Sequence, residues 1–374
     1  MIRRDCLKIL GANLLTAGAV APAAALASGA FVPGAARAMV PVNLADSARP
    51  LWQAWKATHL DATGRVIDRL QGDSSHSEGQ GYGMVLATEF NDPEAFAAMF
   101  GWTEMHLKQR GDGLLSWRWL PGTLNAVPDR NNASDGDLFY AWALLRAARA
   151  FGDQRYLDRA VQVAQDLAAA CIVRNPADRD RLVMLPASVG FAHDDAISVN
   201  PSYYMPLAMR EVAAGTGVSA LGVAAQDADA LLATLAGGGL IPDWVDISPA
   251  GMGPSARMSA NSGYEALRVP LFLIWSGMSE HPAVRQAASV YGRTVTPGAP
   301  VPTVMEPASG VVLESSPDAG YRALAGLVTC SVRAPGSVGA DMPPYSTRQP
   351  YYPATLQMFA MIAANQILPE CVPL

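Results

Sequence analysis

The chain has 374 residues, half of them hydrophobic and only 16% charged, with a formal net charge of −6. An acidic balance of this kind gives no electrostatic footprint for nucleic acid or for an anionic membrane surface. Four cysteines without CxxC spacing argue against a zinc site. Beyond the N-terminal stretch no run approaches the twenty or so apolar residues of a membrane span, Val269 to Met278 being half that length.

The N-terminus reads as an export signal spanning residues 1–38. Arg3-Arg4 precedes a mildly apolar run from Ile9 to Ala27, a pattern similar to a twin-arginine signal. Ala36-Arg37-Ala38 is the expected cleavage site, with Ala25-Leu26-Ala27 as the earlier alternative, and Pro22 argues against a membrane anchor. Removing Arg3, Arg4, Lys8 and Arg37 together with Asp5 takes away a net +3, so −6 becomes −9 in the mature chain. Residues 39–374 are expected to form a single domain, since no Ser/Pro-rich linker divides them. The mature protein is expected to be periplasmic or secreted, with no membrane span. In an oxidising compartment one disulfide is expected between Cys330 and Cys371, both near the C-terminus, leaving Cys171 as a buried thiol.

The first chemically suggestive segment is Ser77-Glu78-Gly79-Gln80-Gly81-Tyr82-Gly83-Met84. A lone carboxylate among three alternating glycines, beside an aromatic ring and an apolar run, suits a proton donor, because partial burial raises a carboxyl pKa. The glycines would let the backbone approach a ligand closely. The competing reading is a helix start, with Ser77 as cap and Glu78 facing the dipole. Next comes Ala133-Ser134-Asp135-Gly136-Asp137, two acids opening a strongly apolar segment. Two acids in one turn repel, so one would be partly protonated or tightly hydrogen-bonded.

Helical periodicity dominates the rest. It predicts helices over Asp137–Phe151, Arg155–Val173, Tyr203–Ala214, Ala224–Ala236, Tyr264–Met278, Pro282–Tyr291 and Pro353–Gln366. Strand patterns are few, with Gly310–Glu314 the best candidate, and the proline-rich Val295–Pro307 reads as a long surface loop. A third segment, Ser262-Gly263-Tyr264-Glu265-Ala266-Leu267-Arg268-Val269-Pro270, places Glu265 three residues before Arg268, close enough to pair on a helix.

Together these segments resemble glycoside hydrolase family 8, bacterial inverting β-glycanases that include endoglucanases. The octapeptide is similar to the family's general-acid motif. The aspartate segment, continuing through Ala141, Ala143-Leu144-Leu145, Ala147 and Phe151, looks like its second signature, with Tyr140 where the family usually has Ile or Met. The third segment resembles the Tyr-Asp-Ala-x-Arg block of cellulose-operon endoglucanases, with Glu265 in place of the aspartate. The resemblance implies an all-α fold, an (α/α)6 barrel with a few short strands in its loops. It implies that Glu78 is the proton donor, that Asp135 sits at the cleavage subsite, and that Glu265 is the general base, with Asp243 and Asp246 in reserve. Inversion needs two carboxyl groups in opposite protonation states, one for the leaving oxygen and one for water.

Sugar rings stack on flat aromatic faces. Trp102, Trp117, Trp119, Tyr203, Tyr204, Trp244 and Tyr264 lie near these motifs or in loops. Tyr82, Trp102, Tyr203, Tyr264 and Arg268 are the expected substrate-binding residues, and the remaining aromatics are expected to include buried ones. The five histidines lack ligand spacing, and no Gly-x-Ser-x-Gly elbow or His-Glu-x-x-His helix occurs, so neither a metal nor a cofactor is implied. The expected activity is that of an endo-β-1,4-glucanase (cellulase) acting on β-1,4-glucan beside a cellulose synthase complex. A chitosanase, a xylanase or a weakly active glucan-binding accessory of the synthase are the alternatives.

Overall fold

The computed structural model describes residues 48–333 and 339–373; the expected export segment lies outside them. Eleven α-helices are present among the described residues. They are α1 (Arg49–His59), α2 (Ser77–Glu89), α3 (Pro93–His106), α4 (Ser134–Phe151), α5 (Gln154–Cys171), α6 (Pro206–Thr216), α7 (Ser219–Ala236), α8 (Arg268–Trp275), α9 (Pro282–Thr294), α10 (Ala319–Cys330) and α11 (Tyr351–Ile367).

Burial sorts them into two layers. All eight residues of α8, eleven of thirteen in α2 and thirteen of eighteen in α4 are buried, so these helices are wrapped on nearly every side. By contrast, α1, α5 and α9 carry an apolar stripe and a polar face, as helices of an outer layer should. The helices α2, α4, α6, α8, α10 and α11 begin at one end of the molecule, and α1, α3, α5, α7 and α9 return the chain from the other. This is the expected (α/α)6 barrel. In the stretch where a sixth outer helix would fall, residues 339–350 cover α10 as an irregular strap, with Gly326 packed directly against the Asp341 backbone.

The glycines of the octapeptide serve this packing. A Cβ at Gly81 would lie 3.0 Å from the Phe139 side chain and 3.1 Å from the Tyr140 nitrogen, and one at Gly136 would lie 2.7 Å from the Glu78 nitrogen. Gly81 and Gly136 thus bring α2 and α4 backbone to backbone, whereas Gly79 faces His76 and Tyr351 and Gly83 faces Met99, Val66 and Trp55.

Each helix predicted from periodicity is present, with shifted ends. The predicted Tyr264–Met278 contracts to Arg268–Trp275, because residues 264–267 form mixed turns and Gly277, at φ 78°, turns the chain away. Helices α1, α3 and α10 carry no prediction. The Val295–Pro307 stretch is not a surface loop throughout. Val301–Met305 is a fully buried strand paired with Val312–Ser316, a pair that places the predicted Gly310–Glu314 strand two residues later. Four prolines in the stretch, one of them inside the strand, hid what is the buried arm of a hairpin. The remaining strands are short and belong to loops: Ser75–His76 with Arg118–Trp119, Ile172–Asn175 with Asp178–Met184, and Ile197–Val199, Val245–Ser248 and Gly251–Pro254 in one small sheet. Cys330 and Cys371 form the expected disulfide, with Cα atoms 5.9 Å apart, and Cys171 is a buried free thiol.

Candidate active site

The first turns of the inner helices meet at one end of the barrel, where unpaired N–H groups and the positive ends of the helix dipoles favour anions. Three acids gather there around one buried cation. Arg268, at the start of α8, is fully buried, and its Nη1 donates to Glu78 Oε2 at 2.6 Å and to the Tyr82 hydroxyl at 2.9 Å, and lies 3.5 Å from Asp135 Oδ2. Its Nη2 donates to Ser202 Oγ at 2.7 Å and to Glu265 Oε2. Burial works against the charge of Arg268, but Tyr82, Tyr352, Glu265 and Glu78 together outweigh it and hold the guanidinium protonated. Three carboxylates about one cation repel one another.

The three acids differ in exposure. Glu78 and Asp135 are 5% and 1% exposed, whereas the Glu265 side chain keeps 19% of its surface open. Glu78 stands on the first turn of α2, which is capped by His76: its Nδ1 accepts from the Gly79 amide at 3.0 Å. Ser77 is therefore the first helical residue and not the cap. Asp135 opens α4, where its Oδ1 accepts from Gly136 N at 2.8 Å. Asp137, two residues on, is buried and accepts from the Leu115 amide at 2.9 Å and the Asn132 side chain at 2.9 Å. Burial pushes its carboxyl up to about 7. Of the two neighbouring acids, Asp137 is thus the one tied into the frame.

A scan against family descriptions matches residues 29–366 to "Glycosyl hydrolases family 8". The chain belongs to this family. An endoglucanase of Cellulomonas uda is 36% identical over 231 residues, which cover 61% of this chain and 64% of that relative. Among solved structures, the family 8 endoglucanase Cel10 of Klebsiella pneumoniae superposes with a TM-score of 0.75 at 30% identity, covering 84% of this chain and 98% of the other. The endo-β-1,4-glucanase CMCax of Acetobacter xylinum gives the same TM-score at 28% identity, covering 85% and 98%.

Within this family 8 chain the expected site residues fall into three groups. Glu78, Asp135, Glu265 and Arg268 share one cluster. Tyr203 is beside it, with the guanidinium carbon 5.8 Å from its ring, and Tyr264 is half-buried at its edge, its hydroxyl 3.3 Å from both Thr303 Oγ1 and Glu314 Oε2. Tyr82 and Arg268, expected to touch substrate, are instead fully buried. The Tyr82 ring lies edge-on between Phe139 and Phe359, and its only displayed role is to hold Arg268 from below. Trp102 is the outlier. It is 6% exposed on the outer helix α3, packed on His106 and Trp119, and among the described residues no contact joins it to the cluster. Of the other aromatics, Tyr204 is core, its hydroxyl oxygen accepting from the Met184 amide at 2.9 Å, and Trp244 stacks on Phe191. Asp246, a reserve base, accepts from Ser198 Oγ at 2.6 Å and Ala256 N at 3.0 Å within the loop sheet, apart from the cluster.

Three contributors, Ser202, Tyr352 and His76, were not among the expected site residues. Ser202 donates into the cluster's shared carboxylate region, lying 3.5 Å from Glu265 Oε2; the Asn200-Pro201-Ser202-Tyr203 block was the available signal. Tyr352 places its ring 6.0 Å from the guanidinium and donates to the Tyr264 carbonyl at 2.6 Å, and His76 caps α2. Tyr140, the departure from the family pattern, is buried and donates to Glu104 Oε1 at 2.7 Å, an oxygen that also receives Arg159 Nε at 2.8 Å.

Proposed function

We propose that this protein is an inverting endo-β-1,4-glucanase in which Glu78 protonates the leaving oxygen and Glu265 activates water. The observation that carries the reading is the single guanidinium of Arg268 joining Glu78, Asp135 and Glu265, acids from three distant segments, at the mouth formed by the inner helices. Inversion requires one carboxyl that gives a proton and a second, solvent-reachable one that takes a proton from water. The deeper Glu78 suits the first task and the more open Glu265 the second. In this reading Asp135 contacts the sugar at the point of cleavage, and Tyr203 and Tyr264 flank it. The endo-β-1,4-glucanase and endoglucanase relatives support a β-1,4-glucan as substrate. Export to the periplasm or beyond, cleavage after Ala38 and action beside a cellulose synthase complex belong to the same proposal. They rest on the N-terminal pattern and on the cellulose-operon type the chain resembles. Among the described residues no helix is long and apolar enough to cross a membrane.

Hydrolysis of carboxymethylcellulose, chitosan and xylan, followed by reducing-end release, tests the substrate. Carboxymethylcellulose should be cleaved fastest. NMR of the first products should show the α-anomer, because one displacement inverts a β-linkage. Glu78→Gln, isosteric but without a proton to give, should lower kcat by roughly 10²–10⁴-fold while retaining oligosaccharide binding. Initial release of the β-anomer would refute the mechanism.

A further inference from the structure

We propose that Asp243 is a positioning residue for Glu265, its carboxylate fixing the turn on which that acid stands. The proposal rests on the reading of Glu265 as the general base. Residues 263–267 make a tight turn before α8, with the Leu267 amide bonded to Gly263 O and the Arg268 amide to Glu265 O. Such a turn leaves its leading N–H groups without partners in its own helix. Asp243 supplies them from another segment: one oxygen, Oδ1, accepts from the amides of Gly263 at 2.9 Å, Glu265 at 3.2 Å and Ala266 at 2.9 Å. Its own backbone N–H donates to Asn261 O at 2.7 Å, so side chain and backbone stitch the two segments together. The next residue, Ser262, is anchored on the far side by a reciprocal pair of backbone bonds with Met305.

The fit leaves no spare room. A Cβ on Gly263 would fall 2.6 Å from Asp243 Oδ2, inside contact distance of a carboxylate, so glycine at 263 is what lets this acid sit beneath the turn. The same turn carries both Glu265 and Arg268, and their side chains meet. Glu265 has one more rotatable bond than the family's usual aspartate, so placing its oxygen depends more heavily on a fixed backbone and on the Arg268 and Ser202 contacts. Asp243 is 7% exposed and faces the turn's backbone, which separates it from the more open Glu265.

The test compares Asp243→Ala, Asp243→Asn and Glu265→Gln on carboxymethylcellulose and cello-oligosaccharides, with Tm recorded for each. Asparagine keeps an oxygen that can accept the three amides, and alanine removes it. Asp243→Ala should lower kcat by roughly 10–100-fold through a misplaced base, with KM within about twofold, and Asp243→Asn should retain most of kcat. If the alanine variant does not fold, the asparagine variant decides: folded and active, it supports positioning. An asparagine variant that loses as much as Asp243→Ala in kcat or Tm overturns the proposal, because charge and not the acceptor geometry would then matter. An alanine variant with wild-type kcat beside an inactive Glu265→Gln also overturns it. A fully active Glu265→Gln defeats the assignment of Glu265 as base, a separate failure that moves the proton acceptor elsewhere.

Discussion

Two arginines, one fully buried and one partly exposed, mark the two ends of the barrel, and they do different work. At the end where the inner helices begin, Arg268 is fully enclosed and gathers three acids and two hydroxyls from four other segments. At the end where they finish, Arg146 of α4 pairs with Glu89 of α2 and with Glu211 of α6 at 3.1 Å, and lies 4.2 Å from the centre of the Trp142 ring. Gln366 of α11 extends this second network by donating to Glu89 at 2.7 Å and accepting from Trp275 at 2.9 Å. One cation faces two carboxylates here, and the Trp142 indole donates to Glu211 at 2.7 Å while the Gln366 amide serves Glu89. The lower network ties helix ends together. The upper one concentrates more negative charge than its cation neutralises, at the positive ends of helix dipoles, a frustrated arrangement of the kind that chemistry needs and stability alone does not.

Removing the two cations should break this contrast open. Arg268→Met should lower kcat/KM by at least roughly 10³-fold and cost about 3–5 kcal/mol, since it strands two buried carboxylates and the partly open Glu265. Activity and urea unfolding measured on the same preparation check it; retained activity would mean that the acids are held by something else.

Asp243 sharpens the electrostatic side of the comparison. Burial, ahead of the opposing amide bonds and of the charge on Glu265, pushes its carboxyl from 3.8 up to about 7. A folded-state pKa raised above the unfolded value gives stability that is present below about pH 4 and is lost as the pH rises through about 7. The stability of the wild type relative to Asp243→Asn should therefore fall by up to about 4 kcal/mol between pH 4 and pH 8. Equal pH slopes in urea titrations of the two proteins would contradict it.

The lower end should answer in stability alone. Cys330 ends α10 and Cys371 follows α11, and the bond between them closes a separation of 41 residues. Replacing both by alanine should cost about 2–4 kcal/mol in urea unfolding and leave kcat within about twofold. Arg146→Met should cost less, about 1–2 kcal/mol, because its side chain is 21% exposed and water screens the pair. Its kcat should also stay within about twofold. A large loss of kcat there, with Tm unchanged, would mean that the two ends are coupled.

The site was legible in the sequence to the extent that its residues sit in contiguous motifs. Glu78, Asp135, Glu265 and Arg268 could each be found because the chemistry of a helix start, or of an acid one turn from an arginine, is local. Two expected substrate contacts, Tyr82 and Trp102, stand apart from the others by depth or by place in the fold. Tyr82 looked like a platform beside an acid, but the close packing of α2 on α4 buries its ring against Phe139 and Phe359. Trp102 looked like a cleft aromatic, but its helix belongs to the outer layer. Asp243 carried the reverse signal: an acid in a loop that reads as a spare base, and that the fold uses to hold a backbone turn.

The sequence by itself determined the helical class and the order of the acidic motifs, since periodicity and helix-terminal acids are properties of short stretches. Only the tertiary structure decided that three acids share one arginine, that one of two adjacent aspartates belongs to the frame, and that an oxygen twenty residues upstream of Gly263 fixes the turn bearing Glu265. Those outcomes depend on which side chains lose their water and which backbone amides lack a partner, and neither is settled until the helices have packed.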